Sequence, residues 1–427
     1  MEALRASVLH CLADPGEESN PSAWEYFEDG LLVIHEGRVV DVGPADTLRT
    51  KLPADLSVMD NRGKLIVPGF IDCHVHFPQL DIIGSYGAQL LDWLNQYAYP
   101  AEAKFADPEY ARDVADAFIA ELLRNGTTTA LVFGTVHAHS ADAIFAAAEA
   151  RDMRLIAGKV LMDSNCPEEL RDTPDSGYAD SKTLVERWHG RGRLGYAITP
   201  RFALTSSPEQ LAAAGKLAAE YPDTWIHTHL AENMDEIEEI ARQFPDSRSY
   251  LDVYEQYGLV RERAVFAHCL HMDDQDRMSM AANNAAAAFC PTSNLFLGSG
   301  LFDLPAMRKA GVCCGLGTDV GGGTSLSMLR TASEAYKVLH LQEHALPATR
   351  ALYLATLGAA ETLCLEDKIG NFEEGKEADF AVLDFEGSSL TARRCAAATT
   401  IEEKLFALMT LADDRNIAAT YVEGRLA

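Results

Sequence analysis

Short apolar runs alternate with polar, helix-periodic stretches through the middle of this chain. The apolar runs begin at Phe70, Thr129, Leu155, Leu194, Trp225, Ala264, Ala286 and Val312, each short enough for a buried strand. Helical patterns at 109–124, 141–151, 208–220 and 234–243 separate several of them. Repeated units of this kind predict an α/β fold, a (β/α)8 barrel of the TIM type, over residues 66–365. Outside that span the period drops to two. Leu31-Leu32-Val33-Ile34, a turn at Glu36-Gly37, and Arg38 to Val42 form a hairpin pattern. Asp379 to Leu383 and Tyr421-Val422, each beside a glycine turn, have the same character near the other end. Such material at both termini predicts a small β-sandwich domain assembled from residues 1–65 and 366–427. Residues 10–30 carry no pattern that predicts an element.

The pattern also orders the polar residues. His74 and His76 end the first barrel strand, Arg201 the fourth, His229 the fifth, His268 the sixth and Asp319 the eighth. Barrel active sites form at the carboxyl ends of the strands, so side chains this far apart in sequence are expected to meet. Within a strand, residues i and i+2 face the same side, which lets His74 and His76 converge on one metal ion. His137-Ala-His139 and His227-Thr-His229 have the same spacing. No acid accompanies the first pair near a strand end, so it is read as structural or as pocket rim. In the second, Glu232 follows His229 by three residues, which favours His229 as the ligand and puts His227 one strand step deeper.

Position alone leaves two readings of Glu232. It suits a general acid/base beside an activated water, and it also suits an ordinary helix-start carboxylate, since Asp235, Glu236, Glu238 and Glu239 lie just beyond it. Asp319 stands in Gly315-Leu-Gly317-Thr-Asp319-Val-Gly321, where valine occupies the last glycine of a dinucleotide fingerprint, so no nucleotide cofactor is expected. An aspartate there can ligate the metal and accept a proton from water. His268 is placed to orient or activate that water. Lys159 lies on the third strand, whereas the fourth ends in Pro200-Arg201-Phe202, so a lysine bridging two metals is not expected. The serine-elbow, Walker and H-E-x-x-H patterns are absent.

Composition narrows the partners. With 36 basic and 64 acidic residues the formal charge is −28, which disfavours nucleic acid and anionic membranes. No apolar stretch approaches the roughly 18 residues of a membrane span, and the amino-terminal residues contain no signal-peptide core. Nine cysteines, an odd number without a C-x-x-C pair, read as reduced thiols in a cytoplasmic protein.

PGFIDCHVH from Pro68, THLAEN from Thr228, AHC from Ala267, CPTSN from Cys290 and LGTDV from Leu316 resemble the amidohydrolase superfamily. Blocks beyond the ligands, including Leu90 to Glu102, Thr199 to Phe202 and Asp319 to Met328, resemble its guanine deaminases. The resemblance implies a metal-dependent hydrolase that converts guanine to xanthine and ammonia. It implies that His74, His76, His229 and Asp319 bind one zinc ion, with iron left open by the ligand chemistry. Glu232 is then the proton shuttle, with His268 close to the water. Gln79 meets the purine edge, and Arg201 and Phe202 receive its carbonyl side and flat face. The implied protein is a homodimer acting on a small-molecule purine. The same machinery acting on 8-oxoguanine, a triazine or a pterin is the alternative, and a non-catalytic barrel is disfavoured because the whole ligand set is present.

Overall fold

A computed structural model describes every residue of 1–427 except Ala54 and Ala88. Four strands precede the first histidine pair: β1 (Glu2–Cys11), β2 (Trp24–His35), β3 (Arg38–Pro44) and β4 (Val58–Pro68). Nine more run through the middle: β5 (Phe70–His76), β6 (Thr127–Phe133), β7 (Arg154–Gly158), β8 (Val160–Leu161), β9 (Leu194–Pro200), β10 (Trp225–Leu230), β11 (Ala264–His268), β12 (Ala286–Phe289) and β13 (Cys314–Leu316). The chain ends in β14 (Phe380–Asp384), β15 (Ile417–Val422) and β16 (Arg425–Leu426). Two compact units result, one made of residues 1–72, 121–129 and 327–427, the other of 73–120 and 130–326.

The barrel sheet runs β13-β12-β11-β10-β9-β7-β6-β5, with β8 paired to β9. Its strands read as continuous apolar runs because helices cover the outside and side chains fill the inside. Beyond β13 the ring is closed by backbone bonds, Asp319 N–H to the His74 carbonyl at 2.8 Å and His76 N–H to the Val320 carbonyl at 2.9 Å. The eight barrel strands expected from the pattern are all present. The last differs in extent: it stops at Leu316, although Gly317 still donates to Phe289. Asp319 adopts φ +51°, which turns the chain out of the ladder.

The second sheet has the order β16-β15-β14-β4-β1-β2-β3, so both termini contribute strands. The parallel pair β1–β4 and the antiparallel pair β4–β14 join them. The sheet folds back over one core that includes Leu4, Ile66, Phe380 and Tyr421. Its ends meet where Ala378 N–H donates to the Gly37 carbonyl at 2.8 Å. At φ +75°, Gly37 is left-handed, and a Cβ there would lie 3.1 Å from that of Glu423. The start of β2 falls within residues 10–30, where the pattern predicts nothing, and β1, just ahead of them, is not singled out by it. Alanine, serine and arginine in EALRASVLHC have little strand preference of their own; partners on both edges hold the segment extended. Among the described residues no helix is long and apolar enough to cross a membrane.

Candidate active site

Three strand ends and one turn converge. β5 delivers His74 and His76, β10 delivers His229, β11 delivers His268, and the turn after β13 delivers Asp319. His268 sits at φ +73° and Ala231 at φ +50°, so the chain leaves both strands sharply and the next residues take new directions. Gly317 has no room for a side chain, because a Cβ would stand 2.9 Å from His74 Cβ.

His74 Nε2 lies 3.0 Å and His76 Nε2 3.3 Å from Asp319 Oδ1, and the Nε2 atoms of His76 and His229 are 3.1 Å apart. One ligand atom from each of these four residues falls within 4.8 Å of all the others. A tetrahedron with metal–nitrogen bonds of about 2.05 Å has edges of roughly 3.3 Å, so the observed spacings fit a first-row divalent ion. Two of the three outer nitrogens are engaged as ligating histidines require. His229 Nδ1 donates to the Arg201 carbonyl at 2.7 Å, and His74 Nδ1 lies 2.7 Å from His227 Nε2. The four residues therefore form a cluster of three imidazoles and a carboxylate whose spacing could hold a metal ion.

Burial favours the neutral form of His76, His227, His229 and His268. It lowers His76 to about 4 and His268 to about 3, and pushes His227 and His229 well below the ordinary imidazole value. Burial also works against the Asp319 anion, but the facing His74 and hydrogen bonds from His74 and His76 outweigh it and hold that carboxyl well below its usual range. Glu232 goes the other way. Burial, reinforced by Asp319 and Glu236, raises it well above an ordinary carboxylate. The two acids of one cavity are thus shifted in opposite directions, the arrangement expected of a base and an acid.

His268 Nε2 is 3.4 Å from Glu232 Oε2 and 3.8 Å from Asp319 Oδ2. Asn294 Nδ2 donates to His268 Nδ1 at 2.8 Å, so the neutral ring carries its proton on Nε2, facing the cavity. Ser299 Oγ donates to Glu232 Oε1 at 3.0 Å. Gln79, Leu90, Trp93, Leu94, Arg201 and Phe202 line the same cavity with His76, His229, Glu232, His268 and Asp319. Every site residue expected from the sequence thus reaches one place, His74 through the metal cluster.

Other residues do not reach it, or are illegible in the sequence. His139 Nε2 donates to the Phe105 carbonyl at 2.7 Å, its ring stacked on His137, and neither lines the cavity. Lys159 is buried against Asp172, away from the metal cluster. Glu102, Asn294 and Ser299 sit on short helices and loops with no sequence period to announce them. The sequence signals for two of them are family blocks: Glu102 is the last residue of the block that begins at Leu90, and Asn294 the last of CPTSN.

The sequence pattern described as "Amidohydrolase family" matches residues 65–427. The chain is 52% identical to the guanine deaminase of Escherichia coli, over 100% of this chain and 97% of that protein. The solved structure of E. coli guanine deaminase matches with a TM-score of 0.98, over 100% of this chain and 99% of that one. A guanine deaminase structure from Bradyrhizobium japonicum matches at 37% identity and TM-score 0.96, covering 100% and 98% of the two chains. That of C. acetobutylicum, solved with guanine bound in its active site, matches at 28% identity and 0.90, covering 100% and 99%.

Proposed function

We infer the reaction from one premise: the chain belongs to the amidohydrolase family. Within that family it is an enzyme that hydrolyses guanine to xanthine and ammonia. The observation that carries this reading is full-length likeness to guanine deaminases together with a cavity that Gln79, Arg201 and Phe202 line alongside residues of the proposed metal cluster. Guanine offers a carbonyl to an arginine, an amide-like edge to a glutamine and a flat face to an aromatic ring.

His74, His76, His229 and Asp319 would hold the ion, which we take to be one zinc per chain; three imidazoles and a carboxylate fit its preferences. Such an ion lowers the pKa of water from about 15.7 to roughly 7. Asp319, kept ionised, accepts the proton of the water as its oxygen adds to C2 of guanine. His268, with its proton on Nε2, donates toward that oxygen and steadies its charge. Glu232, kept protonated by burial, gives its proton to a ring nitrogen, so that C2 becomes tetrahedral without leaving a buried anion. The proton held by Asp319 then passes to the exocyclic amine; as the C2–N bond breaks and ammonia leaves, the C2 hydroxyl gives its remaining proton back to Glu232 and becomes the second carbonyl of xanthine. The same reading extends to a cytoplasmic homodimer of purine catabolism, and to a barrel bounded near residues 66 and 365 with a β domain from 1–65 and 366–427.

Ammonia release from guanine, with the metal quantified and 8-oxoguanine, adenine and cytosine as comparators, tests the reaction. Guanine-selective turnover at one metal per chain is expected; a filled metal site that leaves guanine untouched overturns it. Glu232→Gln should lower kcat by about 10²–10⁴-fold at unchanged metal content, and near-native turnover would remove Glu232 from its role.

A further inference from the structure

Gln79 and Arg201 are not independent. Glu102, fully buried, accepts from Gln79 Nε2 at 2.9 Å through Oε1. The same carboxylate takes Arg201 Nη1 at 2.8 Å on Oε1 and 2.6 Å on Oε2. Gln79 Oε1 in turn accepts the Gly321 N–H at 3.1 Å. Both ends of the Gln79 amide are therefore assigned by the protein, and it cannot flip without putting like groups together. Glu102 lies on the short helix Tyr99–Ala103, whose first residue sets its ring 5.3 Å from the Arg201 guanidinium. Arg201 and Gln79 are each 2% exposed. Two groups that face the cavity are thus held by a single carboxylate that does not line it.

The charge count matters as much as the geometry. An arginine alone in a buried pocket attracts anions; one paired with a carboxylate is a directional donor without net charge. Deamination replaces an amine with a second carbonyl, so the product contains an imide N–H flanked by two carbonyls. It ionises more readily than the substrate does.

We propose that Glu102 is a positioning residue that sets selectivity, holding Gln79 and Arg201 in one arrangement and cancelling the arginine's charge so that the pocket favours the neutral base over its ionised product. The proposal rests on the guanine reading above. Removing the carboxylate frees the Gln79 amide and leaves Arg201 without its counter-charge. Guanine is then held less well, while the anionic product is held better.

The experiment compares wild type with Glu102→Gln and Glu102→Asp as metal-loaded, full-length protein in mildly alkaline buffer. It measures guanine KM and kcat, and the affinity for xanthine by calorimetry without turnover. We expect E102Q to raise guanine KM about 10-fold or more with a smaller change in kcat, and to tighten xanthine binding several-fold. E102D keeps the charge but shortens the reach. It should raise KM without tightening xanthine. Unchanged KM in E102Q, or equal xanthine affinity in E102Q and wild type, overturns the proposal. If E102Q does not fold, E102D decides, since an unchanged KM there would show that the carboxylate's reach is irrelevant. Absence of guanine turnover in wild type would instead refute the guanine reading, while the xanthine comparison still tests charge compensation.

Discussion

His227 tests the metal cluster most directly, because it touches the cluster without belonging to it. Its Nε2 lies 2.7 Å from His74 Nδ1, while His74 Nε2 points at Asp319 from 3.0 Å. A ring that presents Nε2 to a metal carries its proton on Nδ1, so His74 donates and His227 accepts. That bond fixes the tautomer and the ring plane of His74. Replacing such a partner typically costs about 10–100-fold in metal affinity, equivalent to roughly 1.4–2.7 kcal/mol at about 1.36 per tenfold. His227→Leu removes the acceptor at similar volume, and its packing neighbour Phe133, 4.2 Å away ring to ring, keeps the side chain buried. Zinc titration against a competing chelator should therefore show weakening in that range. His227→Gln, which restores an acceptor oxygen, should recover part of the loss. Folded H227L protein that binds zinc within about twofold of wild type would refute the bond's role in holding His74.

Two further outcomes depend on buried charge. Lys159→Met leaves Asp172, 11% exposed, without its cation and should destabilise the protein by about 3–5 kcal/mol in urea unfolding, with recovery when Asp172 is also made apolar. Glu236 is raised by burial from 4.5 to about 7, so the folded chain holds that proton more tightly than the unfolded chain does. Its stabilising contribution is complete below about pH 4.5 and is lost as pH rises to about 7, by roughly 3 kcal/mol. Glu236→Gln should lack that slope when melting is followed across the interval.

Features that repeat are legible in the sequence itself. The i, i+2 spacing of His74 and His76 on an apolar run, and the recurrence of polar residues where such runs end, point to His76, Arg201, His229, His268 and Asp319, all of which line the cavity. Gln79 and Phe202 lie just past strand ends, and their roles came into view only through the family blocks around them. His227 has the same spacing as the ligands, and only the geometry shows that its nitrogen meets another imidazole rather than the centre of the cluster. Glu102 and Asn294 fall within family blocks, but what each one does is beyond reach for a different reason. Their significance lies in which buried groups each one satisfies, and that is decided by pairings across 99 and 26 residues of sequence. The amino-terminal strand is hidden because its extended conformation is imposed by neighbours rather than by its own residues.

The sheet built from both ends also sets a timetable. β4 pairs with β1 on one edge and with β14 on the other, and β4 ends at Pro68 whereas β14 begins only at Phe380. At a synthesis rate of about 5–20 residues per second, the second edge of β4 waits roughly 15–60 s for its partner. An open edge of that kind is a template for any passing strand. The composition of β4 answers the hazard: Lys64 and Pro68, which has no N–H to offer, bracket the stretch that β14 later covers, and Asp60 and Arg62 carry charge just ahead of it. Residues that look like ordinary surface charge in the finished protein thus guard the nascent chain on the ribosome, and neutralising them should reduce the yield of soluble protein more than its melting temperature.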